Sequence, residues 1–179
     1  ILSQQVGCGF YKSAKINPYD IIHCYINIPD TSARDSLFQS EARRCKNILT
    51  QIIEKNNKIR HFCVFDELYS GTNPYEAIGS AYAFLTYLNK HENVKFILTT
   101  HYLDLCKRLE DSEENVENVE NYNMKIITDE SNVNNQFKYT YKLQYGISHI
   151  KGGVKVLKDL DYPKEIIEKT TTVINELII

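Results

Sequence analysis

Three short apolar runs alternate with two amphipathic helical patterns, and this alternation constrains the fold more than any other feature of the chain. The apolar runs, rich in β-branched and aromatic residues, are Ile21–Ile28, Ile59–Phe65 and Val94–Leu98. The helical patterns between them cover Ser36–Lys55 and Tyr75–Leu88. Strands separated by whole helices pair in parallel through crossover connections. The sequence therefore predicts an α/β fold, a mostly parallel sheet with helices on both faces.

Polar residues supply the expected boundaries of the helices. Asp35 ends a polar loop and is predicted to be the N-cap of the first long helix. Residues 69–74 predict a loop before the second helix, and a short third helix is expected over Tyr102–Leu109.

The character of the chain changes after the third helix. Residues 110–121 are acidic and weakly apolar, which predicts an exposed, mobile loop. Tyr122–Thr128 and Phe137–Gln144 alternate in polarity and predict a β-hairpin. An apolar stripe that follows Pro163 predicts a final helix over Lys164–Leu177, within the C-terminal segment 162–179.

Charge and composition exclude several classes of protein. Lys and Arg number 21 against 23 Asp and Glu, a formal charge of -2, so the chain has no overall basic character for holding a nucleic-acid backbone. No apolar run approaches the roughly 18 residues of a membrane helix. The five cysteines form no C-x-x-C pair and are expected to be free thiols. We expect an intracellular protein of the nucleus or cytoplasm, with a nucleoid, an organelle or a viral factory as further options.

Two adjacent carboxylates end the second predicted strand. The run Phe62–Glu67 delivers Asp66 and Glu67 to the carboxyl edge of the sheet, where ligands bind in open α/β folds. One carboxylate can hold magnesium, and its neighbour can polarise an attacking water. An Asp-Glu pair can equally be an ordinary solvated turn, so the pair by itself leaves both interpretations open.

The third strand ends in Thr99, Thr100 and His101. Hydroxyls and an imidazole at a neighbouring strand end can reach the same reaction centre, and an imidazole can donate a hydrogen bond to a terminal phosphate oxygen. Two such strand ends separated by a helix arise by chance less often than either one. Together they predict a site that handles a phosphate group.

These motifs, in this order, resemble the ATPase domain of the MutS mismatch-repair family, a branch of the ABC-type P-loop NTPases. FDELYSGTNPYEA resembles the Walker B strand and its loop, LTTHYLDL the switch-histidine segment, and DSLFQSEARRCKNIL the signature region. The stretch from YKLQYG to the final VINEL resembles the family's closing hairpin, glycine turn and last helix. The likeness covers nearly the whole chain, so residues 1–179 are expected to be part of one MutS-type ATPase domain.

The resemblance implies roles for individual residues. Asp66 would be the metal ligand on Mg²⁺, Glu67 would orient the attacking water, and His101 would sense the terminal phosphate. Contacts with ATP would come from Ser36, Gly71, Thr72 and Thr100. In this family Ser36 would reach the nucleotide of a partner subunit, and the loop with Gly71 and Thr72 would face the dimer seam.

Two segments depart from the family's pattern. The loop that usually reads Gly-Arg-Gly-Thr is here Tyr69, Ser70, Gly71 and Thr72, and the usual Ser-Thr-Phe of the signature begins at Ser36 as Ser-Leu-Phe. These changes bear on the contacts across the dimer and leave Asp66, Glu67 and His101 as matches.

A Walker A loop is missing from the chain. No G-x-x-x-x-G-K-[ST] pattern occurs, and the nearest candidate, Gly7–Ser13, has Tyr11 where the second glycine must stand. The chain also opens on Ile1 in mid-pattern, and its one methionine is Met124. We therefore expect a fragment, incomplete at its N-terminus, that is inactive alone.

The resemblance implies a function for a longer protein. ATP binding and hydrolysis at a dimer interface would control a clamp on mismatched DNA, which upstream domains would contact. The partner subunit would be another MutS-type chain, in a homo- or heterodimer. Three alternatives remain: a MutS relative in recombination or junction processing, a non-catalytic dimerisation scaffold, and another ABC-type repair ATPase with coiled-coil arms. The carboxylate pair beside His101 argues against the scaffold, and the closing segment favours MutS over the last alternative.

Overall fold

The chain divides into two units, residues 1–121 and 122–179, which are described one at a time. The structure is a computed structural model that describes residues 12–13, 15–26, 36–55, 58–111, 119–128, 137–148 and 152–177.

A three-stranded parallel sheet with the order β1-β2-β3 forms the centre of the first unit. Its strands are β1 (Ile21–Tyr25), β2 (His61–Asp66) and β3 (Val94–Thr99). The helices that connect and follow them are α1 (Leu37–Glu54), α2 (Pro74–Asn89) and α3 (Leu103–Glu110). The predicted α/β fold and parallel sheet are confirmed, with boundaries that differ by a residue or two. Residues 27–28 of the first predicted strand lie outside the described residues.

Helix α1 is capped by Ser36. The Ser36 hydroxyl accepts a hydrogen bond from the Gln39 N–H at 3.3 Å, and the Gln39 side chain accepts one from the Ser36 N–H at 3.0 Å. This reciprocal pair is a capping box, which satisfies two backbone donors that the helix itself cannot. The prediction of Asp35 as the cap is therefore wrong by one residue, and Asp35 itself lies outside the described residues.

The hydrophobic core of this unit lies on one face of the sheet. Its buried strand residues share that face by register: Tyr25, Cys63, Phe65 and Val94. All three helices contribute buried side chains: Cys45, Ile48, Ile52, Ala77, Ala81, Phe84, Leu85, Leu88, Leu105 and Leu109. On the opposite face the Phe62 ring lies 5.1 Å from the Tyr19 ring, and Ile97 is 51% exposed. Helices on this second face stay a prediction.

Two buried histidines of the sheet are hydrogen-bonded to each other. His23 Nε2 lies 2.9 Å from His61 Nδ1, and the two rings stack at an interplanar angle of 10°. Burial lowers the pKa of His23 below its usual value of 6.5, and the charges of His61 and Lys55 lower it further. Burial is also the main cause that lowers the pKa of His61, followed by Lys55. The folded protein therefore favours a neutral pair.

We expect the free energy of unfolding to fall as the pH is lowered from 7 to 5 because of this pair. Below pH 6.5 the unfolded histidines take up protons, whereas His23 and His61 in the folded protein take them up only at lower pH. Well above pH 6.5 the two histidines are neutral in both the folded and the unfolded protein, so their contribution to the free energy of unfolding no longer changes with pH. Urea unfolding as a function of pH measures the effect. The double variant His23→Gln/His61→Gln should lose this part of the pH dependence, and an unchanged slope would rule the pair out as its source.

The second unit contains an antiparallel hairpin and two helices. The strands are β4 (Tyr122–Thr128) and β5 (Phe137–Tyr145), and the helices are α4 (Gly152–Asp159) and α5 (Lys164–Leu177). The predicted hairpin is confirmed. Its register shifts between Met124 and Ile126, opposite a stretch in which Tyr141 has a φ of 55°, as in a β-bulge.

The acidic loop and the C-terminal helix are the two remaining segment predictions. The loop is predicted over residues 110–121, but Glu110 is still the last residue of α3, so the loop begins one residue later. Residues 112–118 lie outside the described residues. The final helix predicted over Lys164–Leu177 is confirmed, and the Pro163 carbonyl accepts from the Ile166 and Ile167 N–H groups at 3.0 and 3.2 Å. Residues 178–179 lie outside the described residues.

The cysteines of the described residues are free thiols, as predicted: Cys24, Cys45, Cys63 and Cys106. Burial raises the pKa of Cys63 to about 12 and that of Cys45 to about 11, which keeps both thiols protonated and unreactive near neutral pH. Cys8 lies outside the described residues. Among the helices of the described chain, none is both long and apolar enough to cross a membrane.

Candidate functional site

Asp66 and Thr99 are the last residues of two neighbouring strands and lie opposite each other in register. The Thr99 hydroxyl donates a hydrogen bond to Asp66 Oδ1. A hydroxyl at this place fixes the orientation of the carboxylate at the carboxyl edge of the sheet, where ligands bind in open α/β folds. The next hydroxyl has another contact: Thr100 Oγ1 accepts from the Tyr102 N–H at 3.1 Å and holds the turn into α3.

Glu67 follows the strand in a left-handed backbone conformation, with a φ of 51°. Its N–H donates to the Thr99 carbonyl at 3.0 Å, which extends the pairing of the two strands by one hydrogen bond. The left-handed region is strained for a residue with a Cβ, and such strain persists only where surrounding contacts hold it. The backbone of Glu67 is therefore held in place by its neighbour strand.

His101 lies beside the Glu67 side chain. His101 Nδ1 is 3.4 Å from Glu67 Oε1, and the two side chains are 63% and 53% exposed. This distance is at the long end of the range for a hydrogen bond, so the contact between the two side chains is weak. The structure thus brings together Asp66, Glu67 and His101 at one edge of the sheet.

The donor set at this edge is compatible with magnesium but not with an ion enclosed by protein alone. In the described part of the chain, no three His, Cys, Asp or Glu side chains gather into a metal site. Magnesium usually keeps several waters and takes one or two protein carboxylates together with phosphate oxygens. The Asp66 carboxylate, oriented by Thr99, fits an ion that is bound jointly with a nucleotide.

The loop between β2 and α2 packs against the start of α1. A Cβ on Gly71 would lie 2.7 Å from the Phe38 backbone nitrogen and 2.7 Å from Leu37 Cγ, so only glycine fits at this close approach. The Thr72 hydroxyl donates to Glu76 in the first turn of α2. Gly71 therefore lies beside the helix that begins after Ser36, whereas the Thr72 side chain is turned to α2.

Tyr69 stands where the Gly-Arg-Gly-Thr loop pattern has its first glycine. Its φ is 59°, in the left-handed region that favours glycine. Tyr69 is nevertheless accommodated there, because its side chain is buried, with 7% of the residue exposed. The Tyr69 ring packs 5.7 Å from the Phe38 ring and 6.3 Å from the Phe84 ring. Burial raises the pKa of the Tyr69 hydroxyl. The aromatic contacts offset a backbone strain of roughly 1–2 kcal/mol.

Glu41 is a residue of the site region that the sequence predictions missed. It lies in α1, is 3% exposed, and accepts three hydrogen bonds from the loop after β2. The Ser70 N–H and hydroxyl donate to its Oε1 at 3.1 and 3.0 Å, and the Gly71 N–H donates to its Oε2 at 3.0 Å. A signal was present in the sequence, since Glu41 interrupts an apolar stripe that continues with Cys45 and Ile48.

Comparison with known proteins identifies similar sequences over nearly all of the chain. Residues 1–178 match the family model described as MutS domain V. The chain is 28% identical to the DNA mismatch repair protein MutS of Bacteroides thetaiotaomicron, over 93% of this chain and 18% of that protein. The proteins of the same name from Parabacteroides distasonis and Aquifex pyrophilus are 29% and 30% identical, over 98% and 93% of this chain and 19% and 18% of theirs. The chain thus spans less than a fifth of the length of these relatives.

Proposed function

The chain belongs to the MutS domain V family, and from this premise we propose that it is part of an ATP-dependent DNA mismatch repair protein. ATP binding and hydrolysis at a dimer interface control a clamp that holds mismatched DNA. The observation that carries the proposal is the meeting of Asp66, Glu67 and His101 at the ends of two neighbouring strands. The relatives named above all bear the name DNA mismatch repair protein MutS, which supports a role in mismatch repair.

Each residue at the sheet edge has a distinct role in hydrolysis. The Asp66 carboxylate, held by the Thr99 hydroxyl, binds Mg²⁺ together with ATP. Magnesium held by Asp66 would supply positive charge that offsets the negative charge of the phosphates during hydrolysis. Glu67 accepts a hydrogen bond from the attacking water and orients it. His101 donates a hydrogen bond to an oxygen of the terminal phosphate, close to the Glu67 carboxylate that its ring contacts.

The remaining nucleotide contacts belong to the same proposal. Gly71, Thr72 and Thr100 line the nucleotide site or the dimer seam beside it, and Ser36 reaches the nucleotide of the partner subunit. The close approach of Gly71 to the first turn of α1 supports a shared surface that includes Ser36. The hydroxyls of Thr72 and Thr100 hold local turns, so their nucleotide contacts come from the backbone or after a change of rotamer.

The chain supplies only part of the machinery. Residues 1–179 form part of an ATPase domain of the ABC-type P-loop class, and the phosphate-binding loop comes from another segment of a longer protein, so this chain alone is inactive. Mismatched duplex DNA is held by other domains of that protein. The partner is a second MutS-type subunit, in a homodimer or a heterodimer. The dimer acts in the intracellular compartment that contains the DNA.

Replacing Asp66 with Asn in the full-length protein tests the proposal. We expect the variant to hydrolyse ATP at least about 10-fold more slowly at a fixed Mg²⁺ concentration, because an amide binds a hard cation much less strongly than a carboxylate does. Steady-state hydrolysis is measured over a magnesium titration, with and without a duplex that contains one mismatch. Asp104→Asn is the matched control, since Asp104 is an exposed carboxylate in the first turn of α3.

Two outcomes would contradict this proposal at different levels. If the unaltered full-length protein hydrolyses no ATP, with or without mismatched duplex, the proposal of a repair ATPase is wrong. A dimerisation scaffold then becomes the better hypothesis. If Asp66→Asn and Asp104→Asn show the same magnesium dependence, Asp66 is not the metal ligand.

A further inference from the structure

A carboxylate inside the first unit links two segments that carry different parts of the proposed site. Glu41 is on the core-facing side of α1, where a carboxylate without partners would be unfavourable. Its three hydrogen bonds all come from Ser70 and Gly71, and two of the three donors are backbone N–H groups. The contact is therefore one between a helix and the backbone of a loop, and it fixes where the loop runs rather than only how one side chain points.

The loop that Glu41 holds begins at Glu67. At its first residue the Glu67 N–H is bonded to the Thr99 carbonyl, and at its far side Ser70 and Gly71 are bonded to Glu41. Between these two attachments, Glu67 and Tyr69 both have left-handed backbones. Such conformations persist only when surrounding contacts determine them. Glu41 supplies the attachment on the side away from the sheet.

The same helix carries the other part of the proposed site. Helix α1 begins after Ser36, and Gly71 lies against Leu37 and Phe38 in its first turn. The loop is thus pressed against the start of α1 at Gly71 and hydrogen-bonded to its next turn at Glu41. The loop and α1 are therefore joined at two places, Gly71 and Glu41.

We propose that Glu41 is a positioning residue for hydrolysis: it fastens the loop that begins at Glu67 to helix α1, so that Glu67 and Ser36 are held in one fixed arrangement. This inference rests on the proposed function, in which Glu67 orients water and Ser36 reaches the nucleotide of the partner. It assigns Glu41 no contact with ATP. Loss of its hydrogen bonds should therefore impair the chemical step and leave ATP binding nearly intact.

Glu41→Gln in the full-length protein provides the test. Glutamine has the same size, but one acceptor oxygen becomes an amide that donates, so at least one of the three hydrogen bonds is lost. We expect amide hydrogen exchange in a peptide that contains Ser70 and Gly71 to be at least about 10-fold faster. We also expect kcat for ATP hydrolysis to fall by at least about 10-fold while KM changes less than about 2-fold, as when a catalytic group is misplaced.

Glu54→Gln is the matched control, because Glu54 is an exposed carboxylate at the end of the same helix. It should change neither hydrogen exchange in the loop nor kcat. If Glu41→Gln does not fold, as judged by circular dichroism, Ser70→Ala removes one of the three bonds from an exposed residue. That variant should show the same two changes at a smaller size, about 3-fold in kcat.

The readouts separate the inference from the function on which it rests. If amide hydrogen exchange in the loop is unchanged in Glu41→Gln, or in Ser70→Ala where only that variant folds, Glu41 does not hold the loop in place. Faster exchange with an unchanged kcat would overturn the positioning role, since a merely structural contact would lower stability without slowing the folded enzyme. If the unaltered protein hydrolyses no ATP, the proposed function fails and the positioning role with it, while the exchange data still decide whether Glu41 holds the loop.

Discussion

Replacing Glu67 with Gln in the full-length protein is expected to slow ATP hydrolysis by at least about 10²-fold while ATP binding persists. Glutamine keeps the size of the side chain but has neither the negative charge nor the basicity that polarises a water molecule. The side chain is exposed at the sheet edge, 3.4 Å from His101, so the substitution should not disturb the core. The loss should therefore appear in the chemical step.

Single-turnover hydrolysis and equilibrium nucleotide binding measure the two halves of this prediction. Glu92→Gln serves as the control, because Glu92 is exposed in the turn before β3, at the opposite edge of the sheet. It should hydrolyse ATP at the unaltered rate. Turnover by Glu67→Gln at the rate of the control would remove Glu67 from the mechanism, and loss of ATP binding would show that its role is not confined to hydrolysis.

Gly71→Ala is expected to lower the free energy of unfolding by about 1–3 kcal/mol, the range for forcing extra atoms into a packed contact. The added Cβ would meet the Phe38 nitrogen and Leu37 Cγ, both at 2.7 Å. One of these atoms belongs to the backbone of α1, so it cannot rotate away as a side chain can. The loop or the first turn of the helix must shift, and the Gly71 hydrogen bond to Glu41 should weaken as it does.

Gly79→Ala is a matched control with the opposite expected sign. Gly79 lies in the interior of α2, and a Cβ there would meet no atom within 4 Å. Alanine is favoured over glycine in a helix by about 0.5–1 kcal/mol, so this variant should be slightly more stable. Urea unfolding of both variants gives the comparison. Equal stabilities for the two would show that the loop does not press on α1.

The order of strands and helices could be predicted from the sequence because its cause is local. Each strand of the parallel sheet is a short apolar run, and each helix has an apolar stripe at helical spacing. The carboxyl ends of neighbouring parallel strands lie at one edge for any sequence that folds this way. Asp66 and His101 were therefore assigned to one site from their places after two strands, and the structure brings their segments together.

The cap of α1 depends on a local pattern that the prediction of Asp35 did not use. Asp35 and Ser36 are adjacent and both are residue types that cap helices well. Their intrinsic preference does not separate them. The choice of Ser36 follows from the reciprocal hydrogen bonds with Gln39, whose side chain is placed to close the capping box only with Ser36.

The sequence by itself determined the parallel α/β architecture, the hairpin and the place of the acidic pair at a strand end, because these depend on periodicity and chain order. The tertiary structure alone decided that Thr99 contacts Asp66, that Glu41 holds the loop, and that Gly71 must be a glycine. These contacts join segments that are far apart in sequence. Their existence depends on distances of a few ångströms between packed elements, which no local pattern of residues specifies.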